Sequence, residues 1–321
     1  MNRPAPQDVR SIACIGGGVI GAGWAAGFAA RGYDVTVQDI NPAAKARMRR
    51  IIDSAWPSLE AMGLSEGASK DRVAFTTDLA AAVANADFVQ ESGPERIDIK
   101  QEMYAAMDAA MPNDVVIASS TSGLLISDIQ AKAGNPGRMV LGHPFNPPYL
   151  MPLVEVVGGK QTGASAVDWA CEFYTVAGKH PLRMDREVPG HIADRLQQAM
   201  WNEIVYMVDA CEATPEQIDE SIVYGFGPRL AVMGYCLLFH LAGGEGGMRH
   251  FLRHFDPAVS DDWTRLPSPP ITDELIETFA AGAERLQGNR TIEELNALRD
   301  KALVGFLQHF NAVTGEGGTR P

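Results

Sequence analysis

Ser11-Ile12-Ala13-Cys14-Ile15-Gly16-Gly17-Gly18-Val19-Ile20-Gly21 is a short apolar strand pattern that breaks directly into a glycine-rich turn. An Ala/Gly-rich helical stretch runs from Ala22 to Arg31, with Gly32 placed as a helix C-cap. Asp34-Val35-Thr36-Val37-Gln38-Asp39 then reads as a second strand with an acid at its end. Gly-x-Gly-x-x-Gly alone is a weak signal. Between a strand and a helix, with an acid closing the next strand, it is the dinucleotide-binding pattern: the glycines allow a tight turn, close approach of backbone to pyrophosphate, and close helix packing. The helix N-terminus attracts the pyrophosphate. Gly16, Gly17, Gly18, Val19, Ile20 and Gly21 are therefore the expected cofactor turn, and Asp39 the expected acceptor for the adenosine ribose. The charge of Asp39 repels a 2′-phosphate, and Ile40, Asn41 and Pro42 follow it rather than an arginine. NAD is favoured over NADP. The bland alternative is a glycine turn that binds nothing.

Working outward, helical and strand patterns alternate: helix over 42–62, strand 73–75, helix 79–84, strand 88–91, helix 100–111 and strand 115–119. Such alternation predicts an α/β fold, a Rossmann-type doubly wound and mostly parallel sheet with helices on both faces. A helix over 166–177 and the segment Lys179–Arg183 follow, and Val188-Pro189-Gly190 then punctuates the chain. Beyond it the patterns are helical, over 192–211, 215–224, 231–240, 274–287 and 291–310. Thr291-Ile292-Glu293-Glu294 opens the last of these with a capping box, and the tail from Thr314 is expected to be disordered. A chain of 321 residues is too long for one small core. The expected organisation is an NAD-binding domain over 1–187 and an all-helical substrate-binding and dimerisation domain over 188–321.

A hydrophobic content of 46% with 21% charged residues is ordinary for a globular protein. No apolar run reaches the roughly 18 residues of a membrane span, and the N-terminus lacks a signal-peptide apolar region. Cys14, Cys171, Cys211 and Cys236 are widely spaced, which suits reduced thiols and a cytoplasmic location. The net charge of −13 argues against nucleic acid and anionic membrane surfaces as partners. It is unevenly spread, −4 over residues 1–187 and −9 over 188–321. Either the second half is a set of solvated acidic helices, or it is a substrate domain that repels polyanions such as coenzyme A and tolerates a cation.

Chemistry is signalled by Glu155 within Leu153-Val154-Glu155-Val156-Val157, twelve residues after His143 in Gly142-His143-Pro144-Phe145-Asn146-Pro147-Pro148. A charge in such a β-branched run is costly to bury unless a partner shares it. An imidazole at the end of the preceding strand-like run Met139-Val140-Leu141 is the obvious one. A carboxylate that orients a histidine makes a general base working near neutral pH. With a hydride acceptor upstream, the pair reads as a dehydrogenase of a secondary alcohol. No Gly-x-Ser-x-Gly elbow supports a hydrolase. The other histidines show no metal-ligand spacing, so no metal is expected.

These motifs resemble, in order and over nearly the whole chain, the 3-hydroxyacyl-CoA dehydrogenase family. The resemblance rests on the glycine turn, Asp39, Pro94-Glu95 followed by Lys100, Ser120-Thr121-Ser122, His143-Pro144-Phe145-Asn146-Pro147, Leu153-Val154-Glu155-Val156, Gly178-Lys179 and Pro189-Gly190-x-Ile192. It implies His143 as the base for the 3-hydroxyl proton and Glu155 as its orienting partner. It implies that Ser122 bonds the substrate hydroxyl or nicotinamide region, that Asn146 supports the catalytic loop, and that Glu95 and Lys100 contact the cofactor. A helical second domain forming a homodimer is implied too. Where the family commonly has Asn-Arg, this chain has Asp194-Arg195, which sets a negative charge where an acyl thioester would lie. Pro189–Gln197 and Phe239–Met248 instead resemble the branch whose substrate is carnitine, a small 3-hydroxy acid with a trimethylammonium group. The expected reaction is oxidation of L-carnitine to 3-dehydrocarnitine. Asp194, Arg195, Trp201, Tyr224, Phe226 and Arg229 are the candidate substrate residues, since aromatic faces with a nearby carboxylate bind quaternary ammonium. Tyr206, Tyr235, Phe239 and Trp263 are further aromatics, and for any one of these seven, Trp201, Tyr224 and Phe226 included, the first reading is core packing. L-gulonate and 3-hydroxybutyryl-CoA remain alternative substrates, and a crystallin-like NAD-binding protein without chemistry the alternative class.

Overall fold

The structure is a computed structural model that describes residues 3–231, 234–242, 272–277 and 289–314. Two compact units emerge, Met1–Asp194 with Arg299–Pro321, and Arg195–Leu298.

The first unit is built on β1 (Ser11–Ile15), β2 (Asp34–Gln38), β3 (Val73–Thr76), β4 (Phe88–Glu91), β5 (Val116–Ser119), β6 (Met139–Pro144), β7 (Leu153–Gly158) and β8 (His180–Arg183). They form one sheet in the order β3-β2-β1-β4-β5-β6-β7-β8. Strands β3 to β6 pair in parallel, β7 runs antiparallel to β6, and β8 pairs parallel with β7. The central strands are buried on both sides, as in β5 with all of Val116-Ile117-Ala118-Ser119 buried. That is what a sheet covered on both faces requires.

The covering helices are α1 (Val19–Ala30), α2 (Ala44–Met62), α3 (Leu79–Val83), α4 (Ile97–Ala110), α5 (Ile126–Ile129) and α6 (Ala164–Val176). Trp24 and Phe28 of α1, Met48 and Ile52 of α2, and Phe173 and Tyr174 of α6 share one core. Val83 of α3, Tyr104 and Met107 of α4, and Ile129 of α5 share another. Helix α2 forms because Met48, Ile52, Ala55, Trp56 and Leu59 recur on one face and are buried there. Helix α1 begins at Val19, earlier than the pattern from Ala22 suggests, because Gly18 already serves as an extended N-cap. The expected Rossmann-type sheet is present.

In the second unit, α7 (Ala193–Asp209) continues from the boundary, and Thr214 opens Pro215–Ser221 with a capping box. The helix expected to reach Tyr224 changes at Ile222 into a π-helical segment ending at Phe226. Val205, Val208, Ile218 and Leu275 form a core there. In the last helix, Ile292–Thr314, the Thr291–Glu294 capping box is made: the Thr291 amide donates to Glu294 Oε2 at 2.7 Å and the Glu294 amide to Thr291 Oγ1 at 3.1 Å. From Arg299 on, that helix belongs to the first unit, and within that unit Asp300 accepts from the Tyr149 hydroxyl. Thr314, expected to begin a disordered tail, is the last residue of that helix, and residues 315–321, residues 243–248 and Trp263 lie outside the described residues. Among the described residues no helix is long and apolar enough to cross a membrane.

Lys179, just before β8, is buried, donates to the carbonyls of Pro148 and Met151, and lies 5.4 Å from the Trp24 ring centroid. Burial, with repulsion from Arg31 added, pushes its ammonium down to about 7. The unfolded chain keeps a lysine proton up to about pH 10.4. Between those values the unfolded state binds more protons, so this group makes stability rise with pH. Urea midpoints measured from about pH 7 to about pH 10 should climb more steeply for the parent than for Lys179→Met. Equal slopes would contradict a depressed Lys179.

Candidate active site

Gly16 sits at φ +103, and a Cβ there would lie 2.4 Å from the Ser92 carbonyl oxygen. A Cβ on Gly21 would lie 1.9 Å from the Gly16 carbonyl oxygen, so both positions demand glycine. No described atom lies within 4 Å of a Cβ built on Gly18, and the N-cap of α1 makes no side-chain hydrogen bond among the described residues. An uncapped, uncrowded helix N-terminus beside a glycine turn fits a pyrophosphate. Asp39 follows β2 directly and accepts from the Gly17 amide through Oδ2 and from the Asn41 amide through Oδ1, both at 2.9 Å. The residues present thus fit NAD. Arg47 of α2 approaches Asp39 Oδ2 at 3.9 Å; reading only the residues just after Asp39 overlooks it.

A second carboxylate organises the loop after β5. Glu95 Oε1 accepts from the Thr121 hydroxyl, from the Gly123 amide at 2.9 Å and from the Ser122 amide at 3.2 Å. Burial alone raises the Glu95 carboxyl. The bonds from Thr121, Gly123 and Ser122 and the charge of Lys100 outweigh it and hold the group below the usual carboxylate range. Lys100, expected at the cofactor, is 1% exposed. Its ammonium donates to Glu91 Oε1 at 2.7 Å and lies 3.7 Å from Glu95 Oε2. It is spent inside the protein because an unpaired Glu91, itself 0% exposed, would be far more costly to bury. Glu91 also accepts from the Ser119 hydroxyl at 2.7 Å. The sequence reading missed Glu91 as a site residue, although a glutamate closing a buried strand was the available signal.

The antiparallel pairing of β6 and β7 sets His143 directly opposite Glu155. Glu155 is 0% exposed. Its Oε2 lies 2.9 Å from His143 Nδ1, and its Oε1 accepts from the Ile192 and Ala193 amides at 2.9 and 3.0 Å. Burial alone raises this carboxyl, but the hydrogen bond from His143 and the Ala193 and Ile192 amides hold it below the usual range. An ionised Glu155 can only accept, so Nδ1 carries the proton and Nε2 is left with a lone pair. Asp194 Oδ2 stands 3.4 Å from that Nε2. The Phe145 ring meets His143 edge-on at 5.8 Å between centroids.

Not every expected residue joins this cluster by a bond. Ser122 is exposed, bound to Glu95 through its amide. Asn146 is exposed, and no hydrogen bond joins its side chain to the described residues. The loop it belongs to is tied instead by Lys179, through the carbonyls of Pro148 and Met151. Within the second unit Arg195 follows Asp194 along α7, Trp201 is 46% exposed and Tyr224 84% exposed. Phe226 packs near Tyr235 with ring centroids 6.3 Å apart, and Arg229 is exposed. His191 was also missed: it is 2% exposed, with its ring centroid 5.1 Å from that of His143. Among the described residues no group of His, Cys, Asp and Glu could hold a metal ion.

Comparison with known proteins agrees with this geometry. Residues 11–188 match the model for the 3-hydroxyacyl-CoA dehydrogenase NAD-binding domain, and residues 190–290 the model for that family's C-terminal domain. The chain is 56% identical to an L-carnitine dehydrogenase of Streptomyces griseus over 95% of this chain and 91% of the relative. It is 54% identical to an L-carnitine dehydrogenase of Streptomyces coelicolor, over 98% and 99%. Among solved structures, that of 5-formyl-3-hydroxy-2-methylpyridine 4-carboxylic acid 5-dehydrogenase, an NAD+-dependent dismutase, superposes with a TM-score of 0.80 at 30% identity. It does so over 94% of this chain and 99% of that one. With a dinucleotide turn ahead of a histidine–glutamate pair, and both domain models matched in order, the chain belongs to the 3-hydroxyacyl-CoA dehydrogenase family.

Proposed function

We propose that this protein oxidises L-carnitine to 3-dehydrocarnitine with NAD, with His143 as the general base. The reading rests on Asp194 Oδ2 lying 3.4 Å from His143 Nε2, the nitrogen left to meet a substrate hydroxyl. In carnitine the quaternary nitrogen is only two bonds from the carbon that bears that hydroxyl. A carboxylate beside the base is therefore also beside the cation, and it opposes a coenzyme A thioester with its phosphates. The relatives named L-carnitine dehydrogenase support the same choice.

The steps follow from charge. Glu155 keeps the proton on Nδ1 and aims the imidazole, so Nε2 takes the hydroxyl proton of the substrate. As that proton arrives, the imidazolium lies between Glu155 and Asp194, both of opposite charge. NAD, when bound, supplies the hydride acceptor. Gly16–Gly21 and Asp39 hold the dinucleotide, Glu95 fixes the Thr121–Gly123 loop, and Lys100 acts on that loop through Glu95. Ser122 offers an exposed hydroxyl to the substrate or nicotinamide. Residues 1–187 form the NAD-binding domain that carries His143 and Glu155 in this reading, and 188–321 the helical substrate-binding and dimerisation domain, with Arg195, Trp201, Tyr224, Phe226 and Arg229 its candidate substrate residues.

His143→Asn should cut turnover by roughly 10²–10⁴-fold, the worth of a positioned acid–base group, while NADH affinity changes little. Glu155→Gln should lower turnover too, since an amide cannot stabilise the imidazolium. Near-parental turnover in His143→Asn would remove the base assignment.

The substrate class is tested by pairing carnitine with its neutral isostere, in which tert-butyl replaces trimethylammonium. The two have nearly the same shape, so the comparison isolates the charge. A desolvated contact to a quaternary ammonium is worth about 2 kcal/mol, and each 1.4 kcal/mol is about tenfold in affinity. The parent should prefer carnitine by roughly ten- to thirtyfold in Michaelis constant. Asp194→Asn should lose much of that preference. An equal effect of Asp194→Asn on both ligands would show that Asp194 does not receive the cation.

A further inference from the structure

His191 lies in a turn with two consecutive left-handed residues, Gly190 at φ 69 and His191 at φ 49. A non-glycine residue there is uncommon, and such conformations persist where the surroundings over-determine them, often at functional sites. The surroundings here are specific. His191 Nε2 lies 3.1 Å from the Thr121 carbonyl oxygen, an atom that can only accept. The hydrogen is therefore on Nε2, and Nδ1 is left as a bare acceptor. That Nδ1 is buried and has no hydrogen-bond partner among the described residues. Burial, the largest influence, keeps the imidazole more reluctant to protonate than an ordinary histidine, so the Nε2–H tautomer persists.

Two parts of the site meet at this ring. Thr121 belongs to the loop that Glu95 clamps from the other side, through the Thr121 hydroxyl and the Ser122 and Gly123 amides. The two residues after His191 give their amides to Glu155, which aims His143. The cofactor loop and the base thus share a short, rigid link: Thr121 carbonyl, His191 ring, turn, Glu155, His143. Hydride and proton leave the same carbinol, so nicotinamide and base must be in register, and a misplacement of about 1 Å can cost about 10²-fold in rate.

We propose that His191 is a positioning residue of this dehydrogenase: its imidazole, locked to the Thr121 carbonyl, sets the cofactor loop and the His143–Glu155 base in register for coupled hydride and proton transfer. This rests on the dehydrogenase reading above, though not on carnitine as the substrate.

The test compares the full-length parent with His191→Phe, which keeps a ring and loses the N–H, and His191→Gln, whose amide can supply a donor where Nε2 stands. Turnover is expressed per NADH-binding site, counted by titration, and measured with substrate carrying hydrogen or deuterium at C3. His191→Phe should lower turnover per site by roughly ten- to a hundredfold. Its primary isotope effect should be no smaller than the parent's, because the hydride step itself has slowed. His191→Gln should recover most of the loss. The proposal is overturned if His191→Phe stays within about twofold of the parent per site. It is equally overturned if the loss is only a loss of binding sites, if the isotope effect falls towards unity, or if Gln restores nothing. A parent inactive on carnitine would instead count against the substrate assignment. The His191 comparison then runs on whichever 3-hydroxy acid the parent oxidises.

Discussion

A fully buried carboxylate with three donors holds this site together. Glu155 is charged inside a β-branched strand, where an unpaired carboxylate would protonate or unfold its surroundings. Two backbone amides take one oxygen and the His143 imidazole takes the other. The partners come from different parts of the first unit: β6 supplies the histidine, and Ile192 with the first residue of α7, Ala193, supplies the amides. The carboxylate therefore determines three things together: the register of β6 against β7, the path of the chain leaving the sheet, and the tautomer of His143. A one-residue slip of β7 would carry Glu155 to the other face and lose all three.

A similar construction recurs on the cofactor side. Glu95 gathers the Thr121 hydroxyl and two amides, with Lys100 and buried Glu91 behind it. Two segments of the first unit, the loop after β5 and the turn into α7, are thus pinned by carboxylates that hydrogen bonds favour in the ionised form. A polar site assembled this way is rigid, because releasing any one donor exposes a buried charge. Asp194, partly exposed, differs from both: its carboxylate stands 3.4 Å from His143 Nε2, and among the described residues no hydrogen bond clamps it.

Much of this was legible in the chain because the signals are local. The glycine turn carries its own backbone constraint at Gly16 and Gly21, and Asp39 announces itself by closing the next strand. His143 and Glu155 were visible because an acid in an apolar strand demands a partner, and one antiparallel return supplies it. What was hidden depends on tertiary contact. Lys100 was expected at the cofactor, and its buried pairing with Glu91 arises only when β4 lies beside it in the fold. Arg47 meets Asp39 only once α2 folds back over β2. His191 gives no periodic or spacing signal, and its place beside Thr121 follows from a left-handed turn that no side-chain pattern encodes. The aromatic candidates of the helical half, Trp201, Tyr224 and Phe226, carry no such local constraint, so residue type alone could not assign them.

The Glu155 clasp can be observed directly through the proton it controls. In nitrogen-15 NMR of the histidine-labelled protein, with His143 assigned through His143→Asn, the neutral ring should carry its proton on Nδ1 and show an unprotonated Nε2. Glu155→Gln should release that preference. An Nε2–H tautomer in the parent, or a tautomer indifferent to Glu155→Gln, would contradict the central role given to this carboxylate.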